Sequence, residues 1–378
     1  MRWSHARDPE RLARVQLLDP AGKLSVQWTA ESGRARKKTI NKLKTAMPLP
    51  NAWSGALKLL FSEGFLVRDP QDGPVQWMTV TREPFPQGQP FAVAPSGDAV
   101  WVADTGFVRR IERGTAHLTS HALGPGATPR LLAFDAQGRT HALVDLDGAD
   151  QPNGDSPWRA PSQGGSQVAV VRIDPQGAHQ PLLSHPWSRG IGRCLAFTRD
   201  GRLLAPHPEG AALYDPDGQL LRTLPAQPCA HYAPKAAISP SGEHLVYLGS
   251  EGTLVLDSGG STTRSPGPVQ QVFELQVTDE GTVMLRGLAE HWGLFRWRPG
   301  GALEPLSRLV WGLPLGETIY ALERDQLLRH PLGEPKVHGA PMHPIGMVRR
   351  GRLLPFPDGK LAFRTDTHTV GELDPDRA

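Results

Sequence analysis

Glycines punctuate this chain at a fixed period, and that period restricts the fold more than any other feature. The segments FAVAPSGDAVWVADTG, LLAFDAQGRTHALVDLDG, CLAFTRDGRLLAPHPEG, AAISPSGEHLVYLGSEG and LQVTDEGTVMLRGLAEHWG share one plan: an apolar strand, a polar turn closed by Gly, a second strand and a second turn. First-turn glycines fall at Gly97, Gly138, Gly201, Gly242 and Gly281, and Gly359 of FPDGKLAF holds the same place near the end. Their successive spacings are 41, 63, 41, 39 and 78 residues. The long step of 63 contains the Pro/Gly-rich insert GADQPNGDSPWRAPSQGG at 148–165, and the step of 78 is two periods with a degenerate member around Gly316. Later turns keep the same phase: Gly106, Gly148, Gly210 and Gly252 close the second turn, and Gly114, Gly218 and Gly259 the third.

Short strands joined by tight Gly, Asp and Pro turns every 40 residues or so read as a repeated four-stranded antiparallel meander. A meander that small cannot bury both faces alone. Stacking several radially around an axis solves this and leaves only short edges, so the predicted fold is mainly β, a β-propeller. Counting periods from Phe91 to the C-terminus gives seven blades; six is the alternative if the weak sixth period does not form a blade. The last period ends after three strands, and VQWMTVTRE at 75–83 alternates like a strand, so it is expected to supply the outermost strand of the last blade and close the ring. The propeller domain is thus expected over 75–378 and a separate module over 1–74.

Composition agrees with many short strands: 41 Gly and 37 Pro stand against a hydrophobic share of 39%. Net charge is +3, from 41 basic and 38 acidic groups, which makes no whole-chain case for nucleic acid. No apolar run reaches membrane-span length, and the charged start MRWSHARDPERLARV lacks the apolar core of an export signal, so no membrane association and a cytoplasmic location are expected. Two cysteines, Cys194 and Cys229, cannot hold a metal by themselves and read as small buried side chains.

The stretch VAPSGDAVWVADTGFVRRI resembles the NHL and YncE-like propeller repeats, which run from a Gly turn through an apolar strand to Asp-Thr-Gly and a basic residue before Ile. At the level of repeat plan the resemblance spans roughly residues 90–378. It implies a propeller that binds proteins, RNA or ligands on its rims, and it implies no reaction. The layout is also similar to bacterial propeller proteins that accompany MoxR-type ATPases and von Willebrand A-domain proteins.

Three readings fit these residues. Asp-Thr-Gly at 104–106 and Asp-Ser-Gly at 257–259 imitate the paired carboxylates of an aspartic protease. Their phases differ, because Asp104 precedes a second-turn glycine whereas Asp257 precedes a third-turn glycine, in line with Asp174 and Asp215. Asp opening a Gly-closed turn has a local reason, since its carboxylate accepts a backbone N–H two residues on. A metal-dependent propeller hydrolase of the gluconolactonase-like kind would hold a channel ion on oxygen ligands, yet the repeat region has one Asn, Asn153, and that lies in the insert. The acidic run DLDGADQPNGD, with Asp145, Asp147, Asp150 and Asp155, is the candidate calcium loop, although it lacks the regular spacing of a calcium-binding loop. No other cofactor is indicated.

Binding is the third reading. Trp158 and Arg159 sit at the middle of the insert, where a long loop with an aromatic favours a protein partner. In the 1–74 module, ARVQLLDPAGKLSVQWTA reads as a hairpin around Pro20-Ala21-Gly22. RARKKTINKLKTAM reads as a basic helix over 34–44, with Ile40, Leu43 and Met47 on one stripe and Lys37 and Lys38 off it, and NAWSGALKLLFSEG reads as a second helix. An α+β module follows, whose basic helix is the one charge cluster suited to nucleic acid or an acidic partner.

Overall fold

The structure is a computed structural model of the full chain, and it describes residues 2–5, 12–17, 24–29, 34–40, 65–67, 75–80, 90–104, 106–114, 118–123, 127–146, 167–174, 179–186, 194–224, 235–249, 251–309, 312–323, 326–332, 338–341, 351–364 and 369–377. Before the repeats come β1 (Arg2–His5), β2 (Leu12–Leu17), β3 (Leu24–Thr29), β4 (Ala35–Ile40), β5 (Phe65–Val67) and β6 (Val75–Val80). Blade 1 is β7 (Phe91–Val93), β8 (Ala99–Asp104), β9 (Phe107–Glu112) and β10 (Leu118–Ala122). Blade 2 is β11 (Ala127–Phe134), β12 (Thr140–Leu146), β13 (Gln167–Ile173) and β14 (His179–Pro186). Blade 3 follows with β15 (Ala196–Phe197), β16 (Leu203–His207), β17 (Gly210–Tyr214) and β18 (Leu220–Leu224), and blade 4 with β19 (Ala236–Ile238), β20 (His244–Leu248), β21 (Leu254–Ser258) and β22 (Ser261–Arg264). Blade 5 is β23 (Gln271–Val277), β24 (Val283–Leu288), β25 (Trp292–Trp297) and β26 (Leu303–Ser307). The degenerate period does form blade 6, as β27 (Leu313–Leu315), β28 (Thr318–Glu323), β29 (Gln326–Pro331) and β30 (His338–Pro341). Blade 7 takes β31 (Arg352–Pro355), β32 (Leu361–Arg364) and β33 (Thr369–Leu373) from the C-terminus, and a short 3-10 turn at Pro375–Arg377 ends the described chain.

Six sheets are four-stranded antiparallel meanders, and the seventh begins β31-β32-β33, so the fold is a seven-bladed β-propeller. The first-turn glycines Gly97, Gly138, Gly201, Gly242, Gly281 and Gly359 all have φ between 70° and 87°. One backbone geometry, suited to residues without a Cβ, therefore recurs in each period. The first strands of successive blades approach one another around the axis, β7 to β11, β11 to β15, β15 to β19, β19 to β23, β27 to β31 and β31 back to β7. First strands therefore line the channel, and fourth strands lie outermost.

Burial explains why the strands are apolar on both sides. In β8, Ala99, Trp101 and Ala103 pack toward blade 2 with Ala142, Val144 and Ala169, while Val100 and Val102 pack toward blade 7 with Phe356, Ala362 and Val370. In β12 and β13 the same split sends Leu143, Val168 and Val170 the other way, against Leu203, Ala205 and Tyr214 of blade 3. Period-two alternation thus feeds two interblade cores from one strand. Each fully buried Leu, Val or Phe contributes about 1.5–3 kcal/mol, so the stability is spread around the ring.

Blade 7 differs from the others. Its fourth strand is β6, which pairs antiparallel with β33, and the sheet then continues β5-β1-β2-β3-β4 to nine strands. The predicted hairpin is present as β2 and β3, with Leu17 opposite Leu24. The basic helix expected over 34–44 is not: Ala35–Ile40 is a strand, paired along its length with β3 from Thr29↔Ala35 to Leu24↔Ile40. The physical reason is that β3 offers an open ladder edge to the segment that follows it. Pairing the β3-facing backbone groups and completing that ladder outweighs the modest helix preference of Lys and Arg. Leu43, Met47 and the second predicted helix lie outside the described residues.

Candidate functional site

The two Asp-Gly motifs are separated by the ring. Asp104 ends β8 in blade 1, whereas Asp257 lies in β21 of blade 4, on a third strand like those that Asp174 and Asp215 directly follow. The Asp257 carboxylate is 7% exposed and meets Arg222 of blade 3 at 2.5 Å, so it is bound in a cross-blade ion pair. Local capping is seen at its counterpart: Asp215 Oδ1 accepts from the backbone N–H groups of Asp217 and Gln219 at 3.0 and 2.8 Å. At 259–260 two glycines with φ of 61° and 107° make the tight hairpin between β21 and β22, a conformation that side chains with a Cβ rarely adopt. Asp104 and Asp257, in blades 1 and 4, therefore do not form a protease dyad.

Of the four candidate calcium ligands, Asp145 is placed inside β12 and is buried, with its Oδ2 2.6 Å from Arg130 Nε on β11. Asp147, Asp150 and Asp155 lie outside the described residues, as do Trp158 and Arg159. Among the described residues no three His, Cys, Asp or Glu side chains come together in a metal-binding cluster. Lys37 is exposed on β4 beside exposed Arg34 and Arg36, and Lys38 is on the same strand. The structure therefore places a basic run at the end strand of the nine-stranded sheet, and a separate polar cluster at the channel.

That cluster centres on Glu274 of β23. Its Oε2 accepts from Arg286 Nη1 on β24 at 2.5 Å and from Arg352 Nη2 on β31 at 3.2 Å, and its Oε1 from Gln276 at 3.1 Å. Glu274 and Arg286 are directly opposite in the ladder. The contact to Arg352 joins first strands of blades 5 and 7, which are separated in sequence order by blade 6, so it forms at the axis. Burial by itself would raise the Glu274 carboxyl, but Arg286 and Arg352, with Lys235 just before β19, hold it below the usual carboxylate range. The ring thus carries a partly open ionic group on its axis.

Other polar groups serve the blades. Ser307 Oγ lies 2.9 Å from His330 Nε2, and His330 Nδ1 lies 2.9 Å from the Pro331 carbonyl, which orients the ring as a base would be oriented toward a serine. Both residues are buried between blades 5 and 6, and Ser307 Oγ also accepts from Leu309 N–H, so the pair has a structural use and no open face for a substrate. His141 holds Asp135 at 2.9 Å beneath Phe197, while Asp135 caps its turn through the N–H groups of Gln137 and Arg139. Cys194 is a buried free cysteine whose thiol burial pushes up to about 12, which makes it inert; Cys229 is outside the described residues.

Three histidines, His121 on β10, His141 on β12 and His185 on β14, set an acid response. Burial lowers the pKa of His121, His141 and His185 below the ordinary 6.5, although Asp135 pulls His141 the other way. Above that value both folded and unfolded chains are neutral at these sites. Below it the unfolded chain takes protons that the folded chain refuses, so stability falls. The urea midpoint is expected to drop between about pH 7.5 and about pH 5.5, and to drop less in His141→Gln. An unchanged midpoint would contradict the neutral burial of these rings.

No family model matches the chain, and a search of curated proteins finds no match. Solved structures do resemble it. A catalytically inactive virginiamycin B lyase from Staphylococcus aureus with quinupristin aligns over 77% of this chain and 94% of its own, at TM-score 0.52 and 13% identity. A streptogramin B lyase aligns over 82% and 95%, at TM-score 0.50 and 11% identity. A chain of a mitotic checkpoint complex aligns over 81% and 94%, at TM-score 0.55 and 12% identity. Identities this low carry the propeller fold and nothing about chemistry.

Sequence reasoning did not single out Glu274, Arg286, Arg352 or Lys235. A signal was present in VFELQV and VMLRGL, where one charge interrupts an otherwise apolar strand. A charge placed in a strand that packs on both faces needs a partner of opposite sign nearby.

Proposed function

We propose that this chain is a non-catalytic propeller scaffold that docks an acidic protein segment on the strand-extended side of blade 7. The observation that carries this reading is β4, the end strand of a nine-stranded sheet, with Arg36 and Lys37 exposed on it and Arg34 exposed just before it. Among the described residues no strand pairs with its outer side. An end strand presents unpaired N–H and C=O groups to an incoming extended segment, and main-chain pairing of that kind gives affinity while side chains give selectivity. Positive charge on the edge discourages pairing between copies of the chain and favours an acidic partner. The resemblance of the first repeat to NHL and YncE-like propellers supports rim binding, as does the likeness to a propeller taken from a protein complex. Near-balanced overall charge favours a protein over nucleic acid.

The reading is tested by affinity capture from extracts of the source cells, comparing the unaltered chain with Arg36→Glu/Lys37→Glu. A specific partner held by the unaltered chain is expected to be lost by about tenfold or more in the charge-reversed variant, with capture weakened by added salt. Equal retention by both proteins would move the interface elsewhere on the propeller. A nucleic acid retained in place of a protein, with steep salt dependence, would replace the protein reading.

A further inference from the structure

The ionic group on the channel axis holds more positive charge than its own carboxylate neutralises. Arg286 of blade 5 and Arg352 of blade 7 both donate to the single carboxylate of Glu274. The members differ in openness: the Arg286 side chain is 8% exposed, while Glu274 and Arg352 keep 23% and 32%. Arg286 is therefore the fixed counter-ion within the sheet, and Arg352 is the cation that a solute entering the channel meets.

Arg352 has N–H groups to offer. A guanidinium carries five donors in a planar fork, and among the described residues Arg352 gives one of them to Glu274, at 3.2 Å. The remaining fork matches the two oxygens of a carboxylate or phosphate. Low-dielectric walls on either side strengthen the attraction for an anion over that of the same charges at an open surface.

We propose that the axial cluster is a binding site for a small oxyanion, a phosphate monoester or a dicarboxylate, with Arg352 as its direct contact. Glu274 sets the position of Arg352 in the empty channel and competes with the ligand for it. This site is independent of the β4 edge, so either assignment can fail without the other.

Titration calorimetry on the full chain tests it, with inorganic phosphate and succinate as separate probes and sodium chloride at matched ionic strength as control. Saturable binding of phosphate alone points to a phosphate ester, of succinate alone to a dicarboxylate, and of both to charge recognition; each supports the proposal. Arg352→Gln is expected to weaken binding about tenfold or more, and Glu274→Gln to strengthen it severalfold by removing the competing carboxylate. No saturable heat above the salt control, or equal affinity in Arg352→Gln, overturns it. Should Glu274→Gln lose its cooperative melt, Arg352→Gln decides alone, because its side chain lies on the open side of the group.

Discussion

Arg113→Ala is expected to destabilise the propeller by about 3 kcal/mol, the lower end of what removing one partner of a buried ion pair costs. Arg113 follows the third strand of blade 1 and reaches back to the end of the chain. Its guanidinium binds Glu372 of blade 7 through two N–H groups at 2.8 and 2.7 Å, donates to Asp358 at 2.7 Å, and lies 4.2 Å over the Phe356 ring. Glu372 is 5% exposed, so losing Arg113 strips a two-pronged contact from a buried carboxylate, which also lies 3.7 Å from Lys360. This is where the two ends of a ring made from one chain must meet, and the clamp there joins two residues 259 apart in sequence. Chemical denaturation gives the loss directly, and a melting temperature several degrees lower gives it independently. Arg113→Lys should recover little, because an ammonium cannot repeat the two-pronged contact with Glu372. A loss below about 1 kcal/mol in Arg113→Ala would reduce the clamp to a surface ion pair.

Gly287→Ala is expected to cost about 3 kcal/mol as well, through backbone crowding. Gly287 of β24 stands opposite Gly293 of β25, and a Cβ on Gly287 would lie 2.0 Å from the Gln271 carbonyl oxygen of β23. The register of β23 shifts between Val272 and Glu274, immediately beside that carbonyl, so a bulge lies next to the close approach. No rotamer relieves the contact, because the colliding atom is main chain on both sides. Gly114→Ala is the control: nothing lies within 4 Å of its Cβ, and only the positive φ of 80° is penalised. That substitution should cost about 1 kcal/mol. The difference between the two glycines, read from urea unfolding, separates close approach from turn conformation.

Much of this was readable from spacing. A glycine turn must recur wherever a hairpin recurs, so Gly97, Gly138, Gly201, Gly242, Gly281 and Gly359 disclosed the blades before any packing was known, and all six carry the positive φ such turns need. The same phase separated Asp257 from Asp104 and removed the protease reading. Blade 6 was nearly hidden because only its first-turn glycine, Gly316, stands out in a degenerate period, yet its strands kept apolar faces, and Ile319 packs against Leu294 and Leu306 of blade 5.

The segment Ala35–Ile40 shows the limit. Read alone, its lysines and a three-four apolar spacing suit a helix; beside β3 it completes a ladder, and no local pattern records that an edge is waiting. The axial group shows the same limit for function. Glu274, Arg286 and Arg352 are each a lone charge in a strand, separated by up to 78 residues, and only closing the ring brings them within reach of one another.

The sequence by itself determined the repeat, the β class and the positions of the turns, because these depend on local backbone conformation and on which faces are apolar. Only the tertiary structure decided the extent of blade 7, the partner of each buried charge and the ionic group on the axis. Those depend on contacts between blades, and such contacts join residues whose spacing along the chain obeys no short-range rule.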